Sequence, residues 1–168
     1  MTMAGPPIRL LTAIAAAGLV WLGWHYWPDS QAPEVRFVLI DGRTLDSGQL
    51  HGGPVLVNFW ATSCPSCIEE MPDLARLHRE YGARGLTIIG VAMPYDPPDQ
   101  VVAFARNRQL PFAIALDLDA RLTRDFDQVQ LTPTNILIDG DWRIRSRSTG
   151  RLDLNRTRRQ IEQLLKES

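Results

Sequence analysis

Apolar and polar positions divide this chain into one long uncharged stretch near the N-terminus and, after it, short apolar runs that alternate with segments of helical period. From Leu10 to Trp27 no side chain carries a formal charge, and the stretch ends in the aromatic cluster Trp21, Trp24, Tyr26 and Trp27. That length stands at the short end of a membrane span, and such aromatics favour the bilayer interface. Arg9 precedes the stretch and Asp29 follows it, so the positive-inside rule keeps the N-terminus cytoplasmic and exports everything after Trp27. The expectation is an uncleaved anchor over residues 1–27. The alternative is a cleaved signal peptide, for which Ala15-Ala16-Ala17 lies inside the apolar run and Ser30-Gln31-Ala32 lies beyond bulky aromatics.

A tether over residues 28–33 then leads to one domain, residues 34–168, long enough for a single core. Val55 to Trp60 is apolar throughout except for Asn58, the pattern of a strand covered on both faces. Further strands are predicted over 35–39, 86–92 and 112–116. Helices are predicted from Cys64 to about Tyr81, stopping at Gly82, over 99–107 ahead of Pro111, over 120–126, and over 153–166 with Leu154, Ile161, Leu164 and Leu165 on one face. Residues 135–138, the turn Asp139-Gly140-Asp141 and residues 142–147 predict a β-hairpin. This alternation, closed by a hairpin and a helix, predicts an α/β domain with a mixed central sheet flanked by helices, preceded by one transmembrane helix.

Charge adds an exclusion: 18 Lys and Arg against 19 Asp and Glu leave a formal charge of -1 and no basic footprint for nucleic acid. Cysteine adds chemistry. The chain has 2, and they follow the buried run as Cys64-Pro65-Ser66-Cys67. A sulfur at a helix N-terminus meets unpaired N–H groups and the positive end of the helix dipole, which favour a thiolate. The three-residue offset sets the second sulfur one turn along the same face, within reach of a disulfide. A structural zinc site needs about four ligands, and His25, His51 and His78 are scattered. A static disulfide closing so short a loop would stabilise little. The pair therefore reads as redox-active, with no metal and no cofactor.

At about 100° per residue from Cys64, the residues Cys67, Met71, Leu74, Ala75 and Tyr81 form an apolar stripe, with Glu70 on its flank and Glu69 and Asp73 on the opposite side. A carboxyl on the packed side is desolvated, its pKa raised, and it can move a proton as Cys67 exchanges. The alternative is a Glu70 bent out to solvent, because Pro72 disrupts the helix and blurs the phase. His78 reads as a core or boundary residue, His51 as a solvated loop residue, and Arg156, Arg158 and Arg159 as a solvated face.

Two stretches, Val57-Asn58-Phe59-Trp60-Ala61-Thr62-Ser63-Cys64-Pro65-Ser66-Cys67-Ile68-Glu69-Glu70-Met71-Pro72 and Leu131-Thr132-Pro133-Thr134-Asn135-Ile136-Leu137-Ile138-Asp139, closely resemble the thioredoxin superfamily. More narrowly, they resemble its membrane-anchored TlpA/ResA/CcmG group of extracytoplasmic thiol-disulfide oxidoreductases. The resemblance implies a thioredoxin-like fold, with Cys64 as attacking thiol and Cys67 as the resolving one. It also implies a functional acid three residues after the second cysteine, which is Glu70. Classical thioredoxins instead carry a buried acid where Asn58 stands. A cis Thr132-Pro133 bond beside the cysteines is implied too, with the backbone of Thr132 pairing an extended client chain. Trp60 either flanks the site or belongs to the core. Pro65 suits the first helical position, and the dipeptide Pro65-Ser66 lacks the histidine of strongly oxidising relatives, which points to a reductant. Ser63 departs from the tryptophan usual before the first cysteine.

The expected protein is a monomeric reductase of protein disulfides, anchored in the inner membrane with its domain in the periplasm. By resemblance it is re-reduced by a transmembrane thiol shuttle and serves apocytochrome c or copper-site proteins. The competing functions are a copper metallochaperone, which would have to rely on two thiolates because no histidine follows His78, a disulfide-forming oxidase or isomerase, and a peroxiredoxin-like peroxidase, which needs threonine where Ala61 stands.

Overall fold

Residues 31–167 are described in the computed structural model of the chain, and the expected anchor, residues 1–27, lies outside them. Among the described residues no helix is long and apolar enough to cross a membrane. The described end of the expected tether is not a free linker. Ala32 is buried and its N–H donates to the Trp142 carbonyl at 2.9 Å, while the Trp142 indole donates to the Pro33 carbonyl at 3.0 Å. Covering the indole ties Ala32 and Pro33 to the hairpin turn, and Gln31 belongs to the same compact unit.

Among the described residues the strands are β1 (Arg36–Leu39), β2 (Thr44–Asp46), β3 (Val55–Trp60), β4 (Thr87–Ala92), β5 (Ala113–Leu116), β6 (Thr134–Ile138) and β7 (Ile144–Thr149). They form one sheet in the order β2-β1-β5-β4-β3-β6-β7. β3, β4 and β5 run parallel, and the other neighbours pair antiparallel. The helices are α1 (Pro65–Tyr81), α2 (Pro98–Asn107), α3 (Arg121–Asp125) and α4 (Leu154–Glu167).

β3 is the centre of the molecule. Each of its residues is at most 1% exposed, as a strand covered on both faces requires. Val55, Val57 and Phe59 pack with Phe37, Phe126 and Trp142, while Leu56 and Trp60 pack with the apolar sides of α1, α2 and α4. By the alternation of a strand, Asn58 turns toward the α1 face as well. Gly90 of β4 makes room there, since a Cβ would stand 2.9 Å from Ile114 and 3.1 Å from the Trp60 indole nitrogen.

Four expectations change. β2 was not anticipated; its three residues pair with β1 and are pinned by an Arg36–Asp46 ion pair at 2.6 Å. The second hairpin strand starts at Ile144, because Trp142 takes φ 63° inside the turn, where the Asp139 carboxylate accepts from the N–H groups of Asp141 and Arg143. The expected disruption at Pro72 does not occur, and α1 runs unbroken from Pro65 to Tyr81. A proline forfeits one N–H bond, but the buried Met71, Leu74 and Leu77 on either side hold the helix to the sheet. Arg158, expected in solvent, instead ties α4 to α1 through Glu80 at 2.6 and 2.7 Å.

The parallel strands β3, β4 and β5 end at one edge of the sheet, and antiparallel β6 begins there. The loops of that edge carry the cysteines and Pro133.

Candidate active site

The chain leaves β3 at Trp60 and turns into α1, with Cys64 as the N-cap residue in an extended conformation, φ −99° and ψ 104°. Its Sγ accepts the Cys67 N–H at 3.2 Å, one of the donors that a helix start leaves unpaired. Pro65, exposed, fills the first helical position, where no N–H is missed. Cys64 and Cys67 form a disulfide with Cα atoms 5.3 Å apart. The two sulfurs differ in access: Cys64 is half-buried, whereas Cys67 is 1% exposed and packed in the α1-side core. The Ser66 hydroxyl lies 3.5 Å from Cys64 Sγ.

A residue absent from the sequence reading fixes the turn before the cysteines. Asp96, 5% exposed in the loop after β4, accepts from the Thr62 N–H at 2.6 Å and from the Thr62 hydroxyl. The one signal in the sequence was an acid among prolines (Pro94, Pro97, Pro98) following an apolar strand.

Glu70 lies on the buried side of α1, wholly shielded from solvent, and does not bend outward. Its Oε1 accepts from Asn58 Nδ2 at 2.8 Å and from Asn135 Nδ2 at 3.1 Å, and its Oε2 accepts from the Leu152 N–H. Asn58 Nδ2 also donates to Asn135 Oδ1 at 2.9 Å, and Asn58 Oδ1 has no partner. Burial pushes the Glu70 carboxyl above its ordinary value of 4.5, against the pull of the Leu152 and Asn135 hydrogen bonds, the Arg151 charge and the Asn58 amide. Glu69 and Asp73 lie on the outer side, 3.5 and 3.6 Å from Arg151. Asn135, which the sequence reading placed on a strand without linking it to Glu70, is thus part of the Glu70 environment; it sits on β6 directly opposite Asn58.

The Thr132-Pro133 bond is cis, with Pro133 buried and Thr132 half-buried, and the Pro133 carbonyl accepts the Gly150 N–H at 2.8 Å. Trp60 takes the core alternative. It is fully buried, with its ring centre 5.3 Å from that of Phe104, in the core cluster against which Cys64 packs. Ser63 is exposed beside that cysteine. Exposed Tyr95, Leu118 and Leu131 stand on other loops of the same edge. Among the described residues no group of three or more His, Cys, Asp or Glu side chains could hold a metal ion. One accessible sulfur at a helix start, one buried sulfur and a buried carboxyl on the same helix can carry out thiol-disulfide exchange with a proton acceptor inside the protein.

Residues 28–165 match the Redoxin family. The thiol-disulfide oxidoreductase ResA of Bacillus thuringiensis subsp. konkukian is 30% identical over 137 residues, which cover 81% of this chain and 75% of that protein. The crystal structure of a thiol:disulfide interchange protein of the thioredoxin family from Chlorobium tepidum TLS superposes with a TM-score of 0.74 at 25% identity, over 82% of this chain and 97% of that one. StoA from Bacillus subtilis shares the fold at a TM-score of 0.66 and 20% identity, over 76% and 96%. The chain therefore belongs to the Redoxin family and has a thioredoxin-like fold, and within that family it is a thiol-disulfide oxidoreductase of the TlpA/ResA/CcmG type.

Proposed function

We propose that the protein reduces disulfides of exported proteins by cycling Cys64 and Cys67 between dithiol and disulfide. The observation that carries this reading is the asymmetry of the pair, with Cys64 at the accessible helix start and Cys67 buried on the side of Glu70. In the reductive direction the Cys64 thiolate attacks one sulfur of a client disulfide, forming a mixed disulfide and releasing one client thiolate. Glu70 then takes the Cys67 proton, the Cys67 thiolate attacks Cys64 Sγ, and the second client sulfur leaves as a thiolate. The client gains two electrons and the protein is left with its Cys64–Cys67 disulfide.

Thr132 and Pro133, on the loop facing this edge, are the segment against which an extended client chain would pair. A thiol donor must restore the dithiol, and the family resemblance supplies a transmembrane thiol shuttle for that task. The uncharged segment before Trp27 supports an inner-membrane anchor with the domain in the periplasm. Maturation of cytochrome c or of related respiratory proteins fits a reductase placed there.

Replacing Cys67 by alanine leaves Cys64 unable to release a captured client, so the test is to isolate the mixed disulfides that accumulate on the variant in cells. Client proteins joined through Cys64 are the expected result. No adduct beyond that of a variant lacking both cysteines would remove Cys64 as the nucleophile.

A further inference from the structure

The exchange reaction leaves unused a pocket of about 110 Å3 between β6, β7 and the first turns of α4. Its origin lies in the sequence of β7. Ser148 pairs with Asn135 and Ser146 with Leu137, so two small polar side chains lie under α4, where valine or leucine would fill the space. Ser146 Oγ reaches Gln160 of α4 at 3.4 Å. Thr157 adds a further hydroxyl to the lining. The volume exceeds the ~10–15 Å3 that one water requires, and the lining offers hydrogen-bonding groups, the two conditions for a hydrated cavity. Exposed Ser148 and Arg156 form its outer part.

At the inner end stand Asn135 and Leu152, two of the three residues that donate to Glu70, the third being Asn58 of β3. Glu70 itself does not line the pocket. We propose that Asn135 is a positioning residue for the exchange reaction: it holds the Glu70 carboxylate by a hydrogen bond and keeps the pocket's water one side chain away from it. This rests on the reading of Glu70 as the proton acceptor for Cys67. Around Glu70 the charged groups are Arg151 in the connection from β7 to α4, Arg147, Asp153 and Arg156 about the pocket, and Glu69 and Asp73 on the outer side of α1. Cys67 and Tyr81 are the other titratable groups buried on the inner side of α1, and β3 and β6 contribute only the amides of Asn58 and Asn135.

Two substitutions separate this role from that of a simple hydrogen-bond donor. Asn135→Ala and Asn135→Leu both delete the bond to Glu70, but alanine admits the pocket's water to the carboxylate, whereas leucine replaces the amide with hydrocarbon. Titration of the Glu70 carboxyl carbon is followed by NMR in the full chain, the signal being assigned by its loss in Glu70→Gln. The titration is expected to move down in Asn135→Ala and up in Asn135→Leu. Adding Ser146→Val and Ser148→Val to Asn135→Ala fills the pocket and is expected to reverse the downward move. Shifts of the same sign in the two Asn135 variants would overturn the proposal, as would a downward move that survives filling. If the leucine variant does not fold, the alanine variant with and without filling decides the matter. The role of Glu70 is read separately, from the pH profile for resolution of a preformed mixed disulfide. A Glu70→Gln profile identical to that of the parent would remove the premise, and the carboxyl shifts would then report only whether Asn135 holds off water.

Discussion

Burial of the Glu70 carboxyl is expected to make the stability of this protein depend on pH. Glu70 holds its proton to a higher pH in the folded chain than its ordinary value of 4.5, because desolvation outweighs the donors that favour the ionised form. Above that value the folded state binds more protons than the unfolded state. Stability therefore falls as pH rises through the window up to the folded pKa, and this contribution levels off beyond it. Glu70→Gln removes the titration. Urea midpoints of parent and variant, followed across that window, are expected to diverge in the variant's favour as pH rises; parallel curves would mean that the carboxyl titrates as it does in the unfolded chain. Asp96 acts on the other side of the cysteines. Asp96→Ala leaves the Thr62 N–H and hydroxyl without their partner, which is expected to cost about 1–3 kcal/mol and to slow disulfide exchange by loosening the turn before Cys64. An exchange rate equal to the parent's would show that the turn holds without it. Glu70 was legible from helical phase alone. Asp96 and Asn135 were not, because their partners Thr62 and Glu70 lie 34 and 65 positions away and only the folded sheet brings them together.

Elements were legible in proportion to how far local pattern agreed with tertiary burial. Val55–Trp60 reads as a doubly covered strand and is one, and the stripe of α1 gives the packed face correctly, even across Pro72. β2 escapes notice because three residues of an edge strand, none fully buried, leave no period to detect. The start of β7 escapes because a left-handed Trp142 belongs to the turn while its indole belongs to the core. Strand order is not written in any local pattern. α3 shows how a tertiary residue can make a short helix. Its sequence offers no capping side chain at Ala120, and the buried Asp117 supplies the cap from before the helix, accepting from the Leu122 and Thr123 N–H groups at 2.9 Å each. Asp117→Ala is therefore expected to cost about 1–2 kcal/mol, the upper range for a lost cap. A urea midpoint within error of the parent's would mean that water replaces the carboxylate.

For the molecule as a whole, redox direction and folding stability are one quantity seen twice. The potential of the folded pair differs from that of an unfolded pair by the difference in folding stability between the oxidised and reduced forms, so a strong oxidant is a protein whose reduced form is the more stable. The surroundings of Cys64 and Cys67 favour the opposite order. The Cys64 sulfur meets one backbone N–H and one serine hydroxyl, and the Pro65-Ser66 dipeptide brings no cation beside it. Cys67 sits among apolar side chains on the same face of α1 as an acid, where a thiolate is disfavoured twice, by desolvation and by the charge of an ionised Glu70. With only neutral donors at Cys64 and an apolar setting at Cys67, the reduced form gains little from folding, and the disulfide form is expected to show the higher urea midpoint. Unfolding the oxidised protein and a sample kept reduced by excess dithiol, under otherwise equal conditions, measures the difference directly. Equilibration with a glutathione buffer gives the same quantity from the redox side, and the two must agree for the cycle to close. A reduced form more stable than the oxidised one would place the protein among the disulfide-forming oxidases and end the reductase reading, even if the Cys67→Ala variant still captured clients.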